Sequence, residues 1–235
     1  MTEKSYSIAQ RVEQVRERME NAAIAAGRNP EEITLVGVTK TQPAAAVREL
    51  IQAGVDVIGE NRVQELLEKE PALAGLPHKT HLIGHLQRNK AKFLPGHIDM
   101  LQSLSSVQTI EALEKAYADH SGALDVLIEV NIGEETSKTG IDKSAVMELA
   151  ARVYASEKLR LRGLMAIPPF VEGEAVRTYF AQMRQLFIDI KAKKMDNDTV
   201  NVLSMGMSSD FEYAIAEGAT MIRVGTQLFG PRQYT

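Results

Sequence analysis

The sequence predicts an α/β fold, a single (β/α)8 barrel spanning residues 1–235 with an extra helix at its N-terminal end. Three observations carry this. Eight short apolar runs recur along the 235 residues, and segments of helical periodicity separate them. The runs are mostly continuous in apolar character, as expected of parallel strands buried on both faces. Eight strand–helix units fit comfortably into about 200 residues, the scale of this barrel. The competing layout is an open doubly wound sheet, but no Gly-x-Gly-x-x-Gly follows the first strand, which weakens it.

In order, the first element is a helix. Ile8, Val12, Val15, Met19, Ala22 and Ala26 recur at steps of three and four, with Arg11, Glu13, Arg16, Glu17 and Glu20 elsewhere. After the turn-like GRNPEE the expected strands are TLVGVTK (34–40), DVIGEN (56–61), THLIGH (80–85), IDMLQSL (98–104), LDVLIEVNI (124–132), LRGLMAI (161–167), VNVLSMG (200–206) and MIRVGTQLF (221–229). Among the intervening helices the clearest places Val176, Phe180, Met183, Phe187 and Ile190 on one face. Gly54 and Gly218 sit where helix C-caps need positive φ. No Pro/Gly/Ser-rich linker divides the chain, so one domain is expected.

Composition narrows the function classes. Hydrophobic residues make up 44% and charged residues 25%, which excludes disordered and fibrous readings. With 27 basic and 31 acidic residues the formal charge is −4, against a general nucleic-acid surface. There is no cysteine, hence no disulfide framework, thiolate nucleophile or Cys-ligated zinc. The opening MTEKSYSIAQRVEQ holds no apolar run of signal-peptide length, and no stretch of about 18 apolar residues occurs. A cytoplasmic protein that does not span a membrane is expected.

In a barrel the chemistry gathers at the C-terminal ends of the strands. Lys40 ends the first. At an inner rim its amine would be partly desolvated, favouring the neutral form that adds to aldehydes, the reaction of Schiff-base lysines. A lysine that snorkels to solvent is the alternative. In SMGMSSD, Ser204, Gly206, Ser208 and Ser209 stand where the seventh strand turns into a helix, and Ser209 with Glu212 has the form of a capping box. With Gly225 and Thr226 after the eighth strand, these small residues and free N–H groups suit a phosphate, though ordinary turn chemistry would use them too. Arg223 lies between Ile222 and Val224, so its side chain should point opposite to theirs, into the barrel. Facing a pyridine nitrogen it would donate a hydrogen bond and oppose ring protonation, leaving a poor electron sink. Pairing with Glu129 or Glu60 is the alternative.

His81 and His85 form H-x3-H on a strand with no third ligand nearby, which points away from a metal site. The Met-rich GLMAIP and SMGM segments read as barrel packing. HLQRNKAK reads as a solvated basic face, and Glu134 and Glu135 as loop residues that diverge.

Taken together, VTKTQP, GEN, HLIGHLQRNK, ETSKTG, GLMAIPP, LSMGMSSD and IRVGTQLFG, in this order along nearly the whole chain, resemble the pyridoxal phosphate homeostasis protein family. The resemblance implies a barrel similar to the N-terminal domain of alanine racemase, with pyridoxal 5'-phosphate (PLP) held on Lys40 as a Schiff base. It implies phosphate contacts from Ser204, Gly225 and Thr226, with Ser208 in the same loop, and Arg223 beside the pyridine nitrogen. It further implies Asn61 and Met165 along the ring and Lys138 as a second lysine in reach of the cofactor. The chain stops a few residues after the eighth strand, without the second domain that gives racemases an opposing tyrosine. A monomer that binds and supplies PLP, with PLP-dependent apoenzymes as transient recipients, is therefore expected over an amino-acid racemase. A Schiff-base aldolase acting on a sugar-phosphate carbonyl is the third possibility.

Overall fold

The computed structural model describes residues 6–135, 139–171, 173–193 and 199–230. Eight parallel strands close into a barrel in sequence order: β1 Thr34–Val38, β2 Val57–Glu60, β3 Lys79–Leu82, β4 Met100–Leu104, β5 Leu124–Val130, β6 Leu159–Ala166, β7 Val202–Ser204 and β8 Met221–Val224. Closure is made by β1 against β8, where Val36 pairs with Arg223. The open-sheet alternative is thereby removed.

Among the described residues seven helices cover the strands: α2 Ala44–Gln52, α3 Val63–Leu73, α4 Val107–Ala116, α5 Val146–Tyr154, α6 Arg177–Ala192, α7 Phe211–Ala216 and α8 Thr226–Phe229. After β3 the chain forms only a 3-10 segment, Arg88–Phe93. The N-terminal helix α1, Ile8–Ala25, begins on a capping box in which the Ser7 hydroxyl accepts from the Gln10 N–H and the Gln10 side chain accepts from the Ser7 N–H. It buries Val12, Val15, Met19 and Ala23 and packs on α2, α7 and α8. Because α8 is a single turn, α1 adds apolar cover on that side of the barrel by packing across α7, α8 and α2.

Strand eight is shorter than its apolar letters suggest. After Val224 the chain turns at Gly225, whose carbonyl accepts from the Leu228 and Phe229 N–H groups, and TQLF winds into α8. Strand one likewise stops at Val38, two residues before Lys40. Gly54 and Gly218 do take positive φ, 91° and 97°, just after α2 and α7.

Outward strand residues such as Leu35, Val126, Ile128, Leu164, Ile222 and Val224 join the helices in one core cluster. Inward residues form a second, smaller core: Val36, Val57 and Met221 in one group, Met100, Leu127 and Met165 in another, with Val202 touching both. The barrel is filled, so a ligand has room only at its ends. At Gly163, φ 149°, a Cβ would stand 1.8 Å from the Val202 carbonyl oxygen, a backbone approach that only glycine permits. Among the described residues no helix is long and apolar enough to cross a membrane.

Candidate functional site

A cavity of ≈ 390 Å³ opens at the C-terminal end of the barrel between the loops after β1, β7 and β8. Lys40, Ser208, Arg223, Gly225 and Thr226 all line it, so residues far apart in the chain share one hollow. A larger cavity of ≈ 630 Å³ lies on the flank beside α3, around Glu70, His78 and His97, and holds neither Lys40 nor Arg223. Its place among the loops after the strands, with Lys40 and Arg223 in its wall, makes the smaller one the candidate.

Lys40 is half-buried and its backbone is pinned on both sides. The buried ammonium of Lys69, on α3, donates to the Thr39 carbonyl, Glu60 Oε1 and Glu65 Oε1, each at 2.7 Å. Thr39 Oγ1 also donates to Glu60 Oε1, at 2.6 Å, and the Thr41 N–H donates to Glu65 Oε1 at 2.5 Å. Thr41 itself has φ 64°, a left-handed conformation uncommon for a β-branched residue, which this clamp holds in place. Burial pushes the Glu60 carboxyl above the usual range, while the hydrogen bonds from Lys69 and Thr39 pull it back.

Opposite Lys40 lies a cup of backbone donors. The N–H groups of Ser208, Ser209 and Thr226 make no hydrogen bond among the described residues. The Gly225 N–H donates to Ser208 Oγ at a long 3.4 Å. A Cβ at Gly225 would crowd Val38, whose Cβ and carbonyl oxygen lie 3.3 and 3.4 Å away. The capping box expected from Ser209 and Glu212 does not form. Helix α7 starts one residue later than that motif requires, after Asp210, whose Oδ1 accepts from the Met207 N–H at 2.6 Å. Glu212 is drawn outward to Arg18 of α1 instead, at 2.6 Å.

Arg223 points into the barrel and is 4% exposed. Its Nη1 donates to Ser204 Oγ at 2.6 Å and its Nη2 to the Ala166 carbonyl at 2.9 Å. Burial lowers its pKa to about 10, against the opposing pull of Glu129 and Asp210, so the guanidinium stays charged at neutral pH. Neither carboxylate suggested by the sequence is its direct partner: Glu60 is held by Lys69, and Glu129 accepts from Thr139 Oγ1 at 2.5 Å. Burial raises Glu129 above the carboxylate range, and among the described residues its Oε2 has no hydrogen-bond partner.

Of the remaining sequence candidates, Ser204, Met165 and Asn61 lie off the cavity wall. Ser204 is fully buried, its hydroxyl engaged by Gln102 and Arg223, so it reaches the site through Arg223. Met165 is fully buried in the barrel interior against Met100 and Leu127. Asn61 follows β2, and its backbone fills the space where Gly84 would carry a Cβ. Lys138 lies outside the described residues. Gln102 and Lys69 were not singled out by sequence reasoning, although a signal existed. Gln102 is a polar letter inside the run MLQSL, and Lys69 falls at the core-facing spacing of Val63, Leu66 and Leu73.

A closed barrel with a rim lysine facing a cup of backbone donors defines a class, and residues 8–233 match the family model described as alanine racemase, N-terminal domain. Relatives narrow it. The pyridoxal phosphate homeostasis protein of Escherichia coli (strain K12) is 42% identical over 233 residues, 97% of this chain and 98% of that protein. The pyridoxal phosphate homeostasis protein of Aquifex aeolicus is 41% identical over 226 residues, covering 96% and 98% of the two chains. The chain belongs to the pyridoxal phosphate homeostasis protein family. Among solved structures, PipY of Synechococcus elongatus with PLP bound superposes with a TM-score of 0.83 at 34% identity, over 95% of this chain and all of that one.

Proposed function

We propose that this protein binds pyridoxal 5'-phosphate in the cavity at the C-terminal end of the barrel and serves intracellular PLP homeostasis as a carrier. The observation that carries the reading is the convergence of Lys40, Arg223 and the donors around Ser208, Gly225 and Thr226 on one hollow of ≈ 390 Å³. A relative of one-third identity holds the same compound.

The residues fit the group. Three backbone N–H groups without acceptors among the described residues suit the phosphate, and a side chain at 225 would crowd Val38 on the wall of the same cavity. A guanidinium can only donate, so Arg223 would keep a pyridine nitrogen unprotonated. When bound, PLP would supply an aldehyde, and Lys40 would be the amine that holds it as a Schiff base. A ring held neutral is a weak electron sink, which supports storage and delivery over racemisation. Delivery to apoenzymes, a monomeric state and a cytoplasmic location complete the reading.

The test is the visible absorption spectrum of the purified protein with PLP, before and after borohydride, with the reduced adduct located by peptide mass. The expected result is a yellow species reduced onto Lys40 and absent from Lys40→Ala. A chain that stays colourless with added PLP, or the same band in Lys40→Ala, would sink it. Turnover with any member of a broad amino-acid panel would replace the carrier reading by the racemase-like one.

A further inference from the structure

Inside the barrel, between strands on opposite walls, runs a chain of buried hydrogen bonds. Arg223 Nη1 on β8 donates to Ser204 Oγ on β7 at 2.6 Å, and Ser204 Oγ donates to Gln102 Oε1 on β4 at 2.7 Å. Gln102 Nε2 lies 2.9 Å from His81 Nδ1 on β3 and 3.1 Å from Met221 Sδ. Gln102 and Ser204 are fully buried, while His81, Met221 and Arg223 are 3, 5 and 4% exposed.

The links have a consistent direction. A guanidinium has no acceptor, so the Ser204 oxygen receives from Arg223, which leaves its one proton for Gln102 Oε1. The amide orientation fits this: turned over, its oxygen would face the Met221 sulfur, which donates nothing, and the Ser204 proton would lose its acceptor. With Nε2 toward His81, Nδ1 has to accept, so the imidazole is neutral and carries its proton on Nε2. Orientation thus passes from one end of the barrel to the other, because His81 lines a separate cavity of ≈ 460 Å³ at the N-terminal end, among Asp56, Lys79, Asp99, Asp125 and Arg162.

We propose that Gln102 is a positioning residue for the cofactor: acting through the Ser204 hydroxyl, it fixes which N–H groups Arg223 turns to the ring, and His81 fixes Gln102. Two of the five guanidinium N–H groups are held by Ser204 and Ala166. What the others face follows from that hold. The role assigned to Gln102 rests on the reading of the cavity as a PLP site, whereas the direction of the chain does not.

The test uses the full chain in wild-type, Gln102→Leu, Ser204→Ala, double and Gln102→Glu forms. Leu removes both ends of the link, and either single variant should weaken PLP binding about tenfold and displace the visible band of the bound compound. Because the two residues act as one unit, the double variant should be no weaker than either single. Glu still accepts from Ser204, while its other oxygen takes the place of Nε2 and accepts from His81 with the imidazole proton moved to Nδ1, so it should restore the wild-type band. In the cofactor-free wild type, long-range proton–nitrogen NMR should find His81 with an unprotonated, hydrogen-bonded Nδ1. Wild-type affinity and band in Gln102→Leu, additive losses in the double variant, or a proton on Nδ1 would each overturn the proposal. Should Gln102→Leu not fold, Ser204→Ala against Gln102→Glu decides it. A wild-type chain that binds no PLP defeats the site reading and with it the role given to Gln102, while the NMR result still decides the direction of the chain.

Discussion

His81 is neutral because of where it sits. Burial inside the barrel, with Lys79 adding repulsion, lowers its pKa to about 4. In the unfolded chain the same ring takes up a proton near 6.5, so between those values the unfolded state binds more protons and folding stability falls as pH drops. The stabilisation is complete above about pH 6.5 and the loss approaches about 3 kcal/mol by pH 4. His81→Asn keeps an acceptor near the Nδ1 position and does not titrate. Its urea midpoint should therefore fall less than the wild type's between pH 7 and pH 4.5. Parallel curves would mean that another group governs acid sensitivity. From the sequence His81 was legible only as half of an H-x3-H pair. Its partner Gln102 stands twenty-one positions away, joined to it by strand register, which spacing alone does not reveal.

At the scale of elements, α3 is tied to the sheet by a charge. Lys69 bridges Glu60 at the end of β2, Glu65 on its own helix and the carbonyl before Lys40, with 9% of its side chain exposed. Lys69→Met would leave the Glu60 carboxylate buried without a cation, and removing one partner of such a pair costs about 3–5 kcal/mol. Protonation of Glu60 relieves that cost, so the deficit should shrink as pH falls. Lys69→Met with Glu60→Gln should recover much of the loss, a coupling visible in a double-mutant cycle by urea unfolding. A double variant no better than Lys69→Met would assign the cost to packing. Helix α1 was legible because its apolar period runs for five turns. The switch from β8 to α8 was not, because four residues of TQLF are too few to show a period, and the turn is tied down by hydrogen bonds to Ser208, seventeen and nineteen positions away. Ser209 and Glu212 misled for a related reason: a capping motif is local, and Arg18 on a distant helix outcompetes it for Glu212.

For the molecule as a whole, the apolar runs of the sequence dictated parallel strands, but closure depends on β1 meeting β8, a contact between the two ends of the fold. The same closure brings Lys40 to the donors after β7 and β8, so binding at this seam should stabilise the entire barrel. A ligand at a hundredfold excess over its Kd adds about 2.7 kcal/mol. In a chain of this size that corresponds to a rise in Tm of about 5–10 °C. The proposed covalent attachment to Lys40 and the proposed non-covalent hold of the cup can be separated by differential scanning fluorimetry. If the backbone donors around Ser208 and Thr226 grip the phosphate as argued, Lys40→Ala should lose the visible band yet keep a smaller PLP-dependent rise in Tm. Inorganic phosphate should give a weaker rise in both forms, competing with PLP. A Lys40→Ala chain indifferent to PLP would place all the affinity in the covalent bond and leave the cup without a role.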